Sequence, residues 1–341
     1  MNRVTRDTGS KYPIIQAPMG WIARSQLASA VCKAGGMGII ETSSGEIDNC
    51  KKEIQLMSNL TNKPFGVNLP LLFLQDDSMV KFCVQSGVKF VTTSAGDPTK
   101  YIKTLKDAGI TVYHAVPSLA GALKAYKAGV DGLVVEGTEG GGFKSPEEVG
   151  LLVLIQSIKQ HIDIPIIAAG GIIDGAGMAA VFAAGAEGIQ MGTRFVSSKE
   201  SPVHDNFKNK ILKSGIDGTI VLNKTSKPVI RALKSNLTHD INQKGHMDMS
   251  SMIKIQDLYF KGDMEAAPAL ENPREATSMN NKDMYATLRR RLPPEITDDV
   301  VRLIAYNQEA FADFANISDQ SDVESFNQKY NVELVLPVGN Q

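Results

Sequence analysis

Two runs decide the fold of this chain: Ile164-Pro165-Ile166-Ile167-Ala168-Ala169-Gly170-Gly171-Ile172-Ile173-Asp174-Gly175 and Gly188-Ile189-Gln190-Met191-Gly192-Thr193-Arg194-Phe195. Each starts as a short apolar run, turns on glycine and opens into helix-like sequence, as a strand–turn–helix unit does. Further runs of the same kind lie upstream at Tyr12–Ala17, Met37–Glu41, Phe65–Leu69, Lys89–Thr93, Thr111–Ala115 and Gly132–Glu136. Helical sequence separates them, as in Arg24–Ala34, Thr99–Ala108, Ser118–Ala128 and Pro146–His161. In Ser118–Ala128 the apolar residues Leu119, Ala122, Leu123 and Tyr126 recur with the period of one helix face. Gly35, Gly87, Gly109, Gly129 and Gly185 stand where helices should stop before the next strand. Eight units with strand starts about 20 to 35 residues apart predict an α/β chain folded as a (β/α)8 TIM barrel, complete near residue 213. A doubly wound open sheet is the alternative, but it carries a different glycine signature.

Composition narrows the function. With 43% apolar residues in 341, the chain can bury a large core. Thirty-six Lys and Arg nearly balance thirty-seven Asp and Glu, so no global field draws nucleic acid or an anionic membrane. A small-molecule substrate suits it better. The polar stretch Met1–Lys11 and the lack of any apolar run of about eighteen residues predict a soluble cytoplasmic protein with no membrane contact. Cys32, Cys50 and Cys83 have no ligand spacing, read as reduced structural thiols, and imply no metal.

In such a barrel, chemistry sits at the C-terminal strand ends. The glycines of Ala169-Gly170-Gly171 and Met191-Gly192-Thr193 let backbone N–H groups approach phosphate oxygens, and adjacent loops seven and eight are a common phosphate site. Each loop alone could equally be just a tight turn.

Further runs carry a family resemblance over most of residues 12 to 265. They are Tyr12-Pro13-Ile14-Ile15-Gln16-Ala17-Pro18-Met19, Ala34-Gly35-Gly36-Met37-Gly38, Lys63-Pro64-Phe65-Gly66-Val67-Asn68-Leu69 and Val116-Pro117-Ser118. Pro165–Gly171 and Met191–Phe195, followed by Glu200-Ser201-Pro202-Val203-His204, complete the set. With these, the chain resembles the nitronate monooxygenase (2-nitropropane dioxygenase) family, whose FMN barrel is shared with FabK-type enoyl-acyl carrier protein reductases. The resemblance implies that Pro18, Met19 and Gly20 line the isoalloxazine, that Asn68 reaches it from strand three, and that Gly141 lies beside it. It also implies that Ala169, Gly170, Gly171, Met191, Gly192 and Thr193 hold the ribityl phosphate. Met19 has an alternative use as core packing.

Val135-Glu136-Gly137-Thr138-Glu139-Gly140-Gly141-Gly142-Phe143-Lys144 departs from the pattern. Relatives usually carry a histidine at the position of Phe143, placed to move a proton beside the flavin N5, and phenylalanine moves none. Enoyl reduction and oxidation of a neutral nitroalkane both need a proton moved, whereas a nitronate arrives deprotonated. Other proton carriers are His114, Glu136 and Glu139, each with a structural role as the competing explanation. Lys144 is read as an attractor of anions or a solvated loop charge, and His204 as support for the turn after strand eight.

The expected organisation is a barrel over 1–213, a mostly helical cap over the flavin at 214–270, and a partly helical tail at 271–341. Val300, Leu303, Ile304, Phe311 and Phe314 suggest an amphipathic helix in that tail, packed on the barrel or on another subunit of a homo-oligomer. The expected function is FMN-dependent oxidation of alkyl nitronates by oxygen. The alternatives are an NAD(P)H-dependent reductase of enoyl thioesters or quinones, and a non-catalytic flavin-binding protein.

Overall fold

The computed structural model describes residues 2–224, 228–245, 258–262, 300 and 320–333. Eight parallel strands form the barrel: β1 (Ile14–Gln16), β2 (Ile39–Ile40), β3 (Gly66–Pro70), β4 (Phe90–Ser94), β5 (Thr111–Val116), β6 (Gly132–Glu136), β8 (Ile166–Ala169) and β9 (Gly188–Met191). Their order is β1-β9-β8-β6-β5-β4-β3-β2, and a parallel bridge from Ile15 to Met37 brings β2 back to β1. That bridge separates a barrel from an open doubly wound sheet. The Gln16 side chain reinforces the seam, donating to Ile39 O at 3.2 Å and accepting from Ile39 N at 3.3 Å.

The helices are α1 (Arg3–Thr8), α2 (Ser25–Lys33), α3 (Ile47–Leu60), α4 (Ser78–Gln85), α5 (Thr99–Asp107), α6 (Leu119–Ala128), α7 (Leu151–Lys159), α8 (Gly175–Ala183), α9 (Thr193–Val196), α10 (Asp205–Lys213) and α11 (Asn236–Lys244). The five glycines expected to stop helices all adopt positive φ. α6 shows why: Ser118 caps its start by accepting from Gly121 N, and left-handed Gly129 ends it by donating to Ala125 O and Tyr126 O. Helix α7 starts at Leu151 and not at Pro146 as expected, because the Glu139 carboxylate accepts from Leu151 N at 3.1 Å and sets its first turn.

Strand alternation sorts the side chains. Ile15, Ile39, Phe90, Tyr113, Val134 and Ile167 fill the barrel interior, while Val67, Val91, Val112, Leu133 and Ile166 face the helices. Fully burying a side chain of this size contributes roughly 1.5–3 kcal/mol. Gly132 is required by this packing, since a Cβ there would lie 2.3 Å from the Tyr113 ring. The polar stretch at the N-terminus holds α1, which closes the barrel floor. Its Val4 joins the interior cluster, and its Asp7 accepts from the Tyr113 hydroxyl at 2.8 Å. Above that apolar floor the inward positions turn polar, with Asn68, Thr92 and Glu136 near the strand ends.

The segment expected as a mostly helical cap contains a hairpin as well as α11. β10 (Thr219–Leu222) pairs with β11 (Val229–Leu233), and β11 pairs with β7 (Gly142–Lys144) from the loop after β6. Ile241 and Leu237 of α11 pack on Leu222 and Ile230 of this sheet. The chain divides into two compact units, Met1–Met264 and Glu265–Gln341. In the second unit α12 (Gln320–Tyr330) is described, with Val323 and Phe326 buried. Of the five tail residues expected on one amphipathic helix, Val300 is helical and buried, and the other four lie outside the described residues.

Candidate active site at the barrel mouth

The end of β6 sets the electrostatics of the mouth. Glu136 shares the inward face of its strand with Val134 and forms an ion pair with Lys144. Burial raises the Glu136 pKa above the ordinary carboxylate range, and Lys144 opposes the shift. The Glu136 side chain keeps 31% exposure toward the mouth, while that of Lys144 keeps only 3%. Lys144 is therefore not the solvated loop charge expected as one reading. The pair depends on Gly140, where a Cβ would lie 2.4 Å from Glu136 Oε1 and 2.7 Å from Lys144 Nζ.

On β7, neighbours point to opposite sides, so Lys144 turns inward and Phe143 turns out. Phe143 is 49% exposed, and its ring centroid stands 6.2 Å from that of Phe73 in the loop after β3. Pairing of β7 with β11 and the 3.1 Å bond from Arg231 Nε to Thr138 O tie this loop to the hairpin. Gly141 has open space where a side chain would be, with Arg231 O at 4.0 Å.

The turn after β8 has two functions to satisfy. Gly170 (φ 102°) and Gly171 (φ 70°) are left-handed, and a Cβ on Gly170 would lie 2.9 Å from Gly140 N. These glycines therefore also admit the loop after β6. The backbone N–H groups of Gly170, Gly171, Ile172 and Ile173 donate to no acceptor among the described residues, nor do those of Thr193 and Arg194. Ile172 is buried. N–H groups without a protein partner at such a turn can be met by water or by an anionic ligand. Ala169 ends β8 facing inward. Met191 ends β9, and Gly192 follows with the Met19 sulfur 3.6 Å from the position of its Cβ.

Loop one, Pro18-Met19-Gly20, thus meets the end of β9, and Met19 packs with Ile22, Val196 and Phe195. Asn68 is only 4% exposed, and its amide donates to Thr92 Oγ1 at 3.0 Å and to Ser94 Oγ at 3.3 Å. Glu139 serves as the cap of α7 described above.

His114 leaves the candidate site. Its neighbours Tyr113 and Ala115 face the interior, so His114 shares the outer face with Val112 and Val116, beneath the helices. Its Nδ1 pairs with Thr93 Oγ1 at 2.7 Å, and burial lowers its pKa to about 4. It is a neutral structural histidine. His204 caps α10, its Nδ1 accepting from Asn206 N at 3.1 Å. Cys32, Cys50 and Cys83 are free and buried, and burial pushes their thiols up, Cys83 to about 12.

Sequence reading missed one group at the mouth. Glu41, at the end of β2, is completely buried and paired with Arg24 at 3.0 Å. Only the rarity of a glutamate inside a barrel could have flagged it, and that requires knowing which way its side chain turns.

A family model described as Nitronate monooxygenase matches residues 2–81 and 71–290. The chain belongs to the nitronate monooxygenase family. It is accordingly a flavin-dependent oxidoreductase. Within and around this family it is similar to FabK from Thermotoga maritima, with 39% identity and TM-score 0.71, covering 77% of this chain and 86% of that one. A (3aS,4S,5R,7aS)-5-hydroxy-7a-methyl-1-oxo-octahydro-1H-indene-4-carboxyl-CoA dehydrogenase of Rhodococcus jostii is 33% identical over 72% of this chain and 69% of its own length. A nitronate monooxygenase of Paraburkholderia phytofirmans is 29% identical over 67% of this chain and 75% of its own. No helix among the described residues is long and apolar enough to cross a membrane.

Proposed function

We propose that this nitronate monooxygenase family member binds FMN across its strand ends and oxidises alkyl nitronates with molecular oxygen. The residues present fit the cofactor. The unsatisfied N–H groups after β8, with those of Thr193 and Arg194, suit a phosphate held by Ala169, Gly170, Gly171, Met191, Gly192 and Thr193. Pro18, Met19 and Gly20 would line the ring from loop one, with Gly141 and Asn68 beside it and residues 214–270 as the cap. When bound, the flavin accepts electrons from substrate and passes them to oxygen.

Phe143 carries the reading of the substrate: the half-exposed side chain at the loop-six position cannot move a proton, and the candidate histidine, His114, lies on the helix-facing side of β5. A substrate that arrives as an anion makes no demand on a base. Phe143 and Phe73 would instead supply an apolar wall for its alkyl part.

A second reading is NAD(P)H-dependent reduction of an enoyl thioester or quinone. Glu136 and Lys144, an ionisable pair at the mouth, favour it, as does the greater identity to FabK and the CoA dehydrogenase than to the nitronate monooxygenase. Anaerobic bleaching of the flavin absorbance separates the two, with propionate 3-nitronate and NADH added in separate cuvettes. Bleaching by the nitronate alone is the expected result. Bleaching by NADH alone refutes it in favour of the reductase, and bleaching by neither leaves a protein that only binds flavin.

A further inference from the structure

Glu41 does more than neutralise Arg24. One carboxylate oxygen, Oε1, accepts from Trp21 N at 3.1 Å and pairs with Arg24, while Oε2 accepts from Ser43 N at 2.6 Å, Ser43 Oγ at 2.9 Å and Ser44 N at 3.1 Å. Arg24 in turn reaches Ser44 Oγ at 3.1 Å, Glu46 at 2.9 Å and the Cys50 sulfur at 3.4 Å. The loop after β1 is thereby stitched to the loop after β2. Glu41 N donates to Ala23 O at 3.1 Å, and a Cβ on Gly20 would lie 3.3 Å from Ser43 Oγ.

The bond to Trp21 falls at a strained point. Trp21 adopts φ 61°, a left-handed conformation that disfavours a bulky side chain. Strain of this kind persists only where the surroundings hold it, and here the holding group is a charged acceptor sealed from water. The residues brought into line by that turn are Pro18, Met19 and Gly20.

We propose that Glu41 is the positioning residue of the flavin-facing loop: its buried carboxylate holds the left-handed turn at Trp21 and so keeps Pro18–Gly20 in the shape that receives the isoalloxazine. The proposal rests on the FMN reading above. Trp21 is the single tryptophan of the chain, so its emission reports on this turn directly.

The test is a titration of flavin-free protein with FMN, following both tryptophan emission and flavin fluorescence. It compares wild type, Glu41→Gln, and the double variant Arg24→Gln/Glu41→Gln, which leaves no buried charge unpaired. In wild type, FMN quenches Trp21. Both variants should bind FMN at least about tenfold more weakly, the loss expected when charge-assisted bonds no longer hold the loop. Their flavin-free emission should shift to the red as the turn opens to water. A folded variant with wild-type FMN affinity or wild-type emission overturns the proposal. Failure of both variants to fold overturns it as well, since Glu41 would then serve the whole barrel and not the loop. If wild type binds no FMN, the cofactor reading fails; if it binds FMN without a change in Trp21 emission, loop one does not face the ring.

Discussion

Replacing Lys144 by methionine isolates the charge balance at the mouth. Methionine keeps most of the apolar stem, so the main change is that Glu136 loses its counter-ion. Breaking a fully buried pair costs about 3–5 kcal/mol and an exposed one about 0–1 kcal/mol. With the Glu136 side chain 31% exposed, a loss of about 2 kcal/mol is expected while its carboxyl stays ionised. The direction with pH follows from the raised folded pKa. Glu136 holds its proton more tightly folded than unfolded, so its contribution is intact in acid and is lost as pH rises from the ordinary value of 4.5 through the raised one. Without Lys144 the folded pKa climbs further and the window widens. Thermal melts at pH 5 and pH 8 should therefore show a larger deficit at pH 8, about 3 °C for a chain of this size, and a smaller one at pH 5. An equal deficit at both pH values, or a larger one at pH 5, would refute the argument that Lys144 stabilises the partly buried Glu136 carboxylate.

Other perturbations follow from the same geometry. Gly170→Ala places a Cβ 2.9 Å from Gly140 N in a left-handed turn, so it should cost about 1–3 kcal/mol in chemical denaturation and weaken FMN binding by fluorescence titration. His114, with its pKa lowered to about 4, stabilises the fold above about pH 6.5 and progressively less below it. His114→Gln should remove that acid-dependent part, up to about 3 kcal/mol in urea melts near pH 4, and leave the pH profile of turnover unchanged. Phe143→His should confer activity on neutral nitroalkanes, measured as oxygen uptake; no gain would count against the role given to this position.

The strand–helix rhythm was legible because a parallel barrel writes itself locally. Each of the eight strand assignments rests on a short apolar run, and the helix stops rest on glycine. Pro18–Gly20, Gly170–Gly171 and Gly192–Thr193 could be picked out as a potential site for the same reason, since a strand end and its turn are contiguous in sequence. The start of α7 was not legible, because the group that sets it, Glu139, lies twelve residues away across a loop. The helix α1 was passed over because its apolar contribution to the barrel floor is essentially one residue, Val4.

Alternation, pairing and burial belong to the folded chain. Composition cannot say that His114 faces the helices while Glu136 faces the mouth, because a one-residue difference in register reverses both. Nor can it say that β7 leaves the loop after β6 to join a hairpin almost ninety residues later, turning Lys144 in and Phe143 out. The local code thus determines a (β/α)8 chain with glycine turns above its strands. Which charges those turns enclose depends on contacts between segments far apart in sequence: Arg24 with Glu41, Glu136 with Gly140 and Lys144, and Arg231 with Thr138.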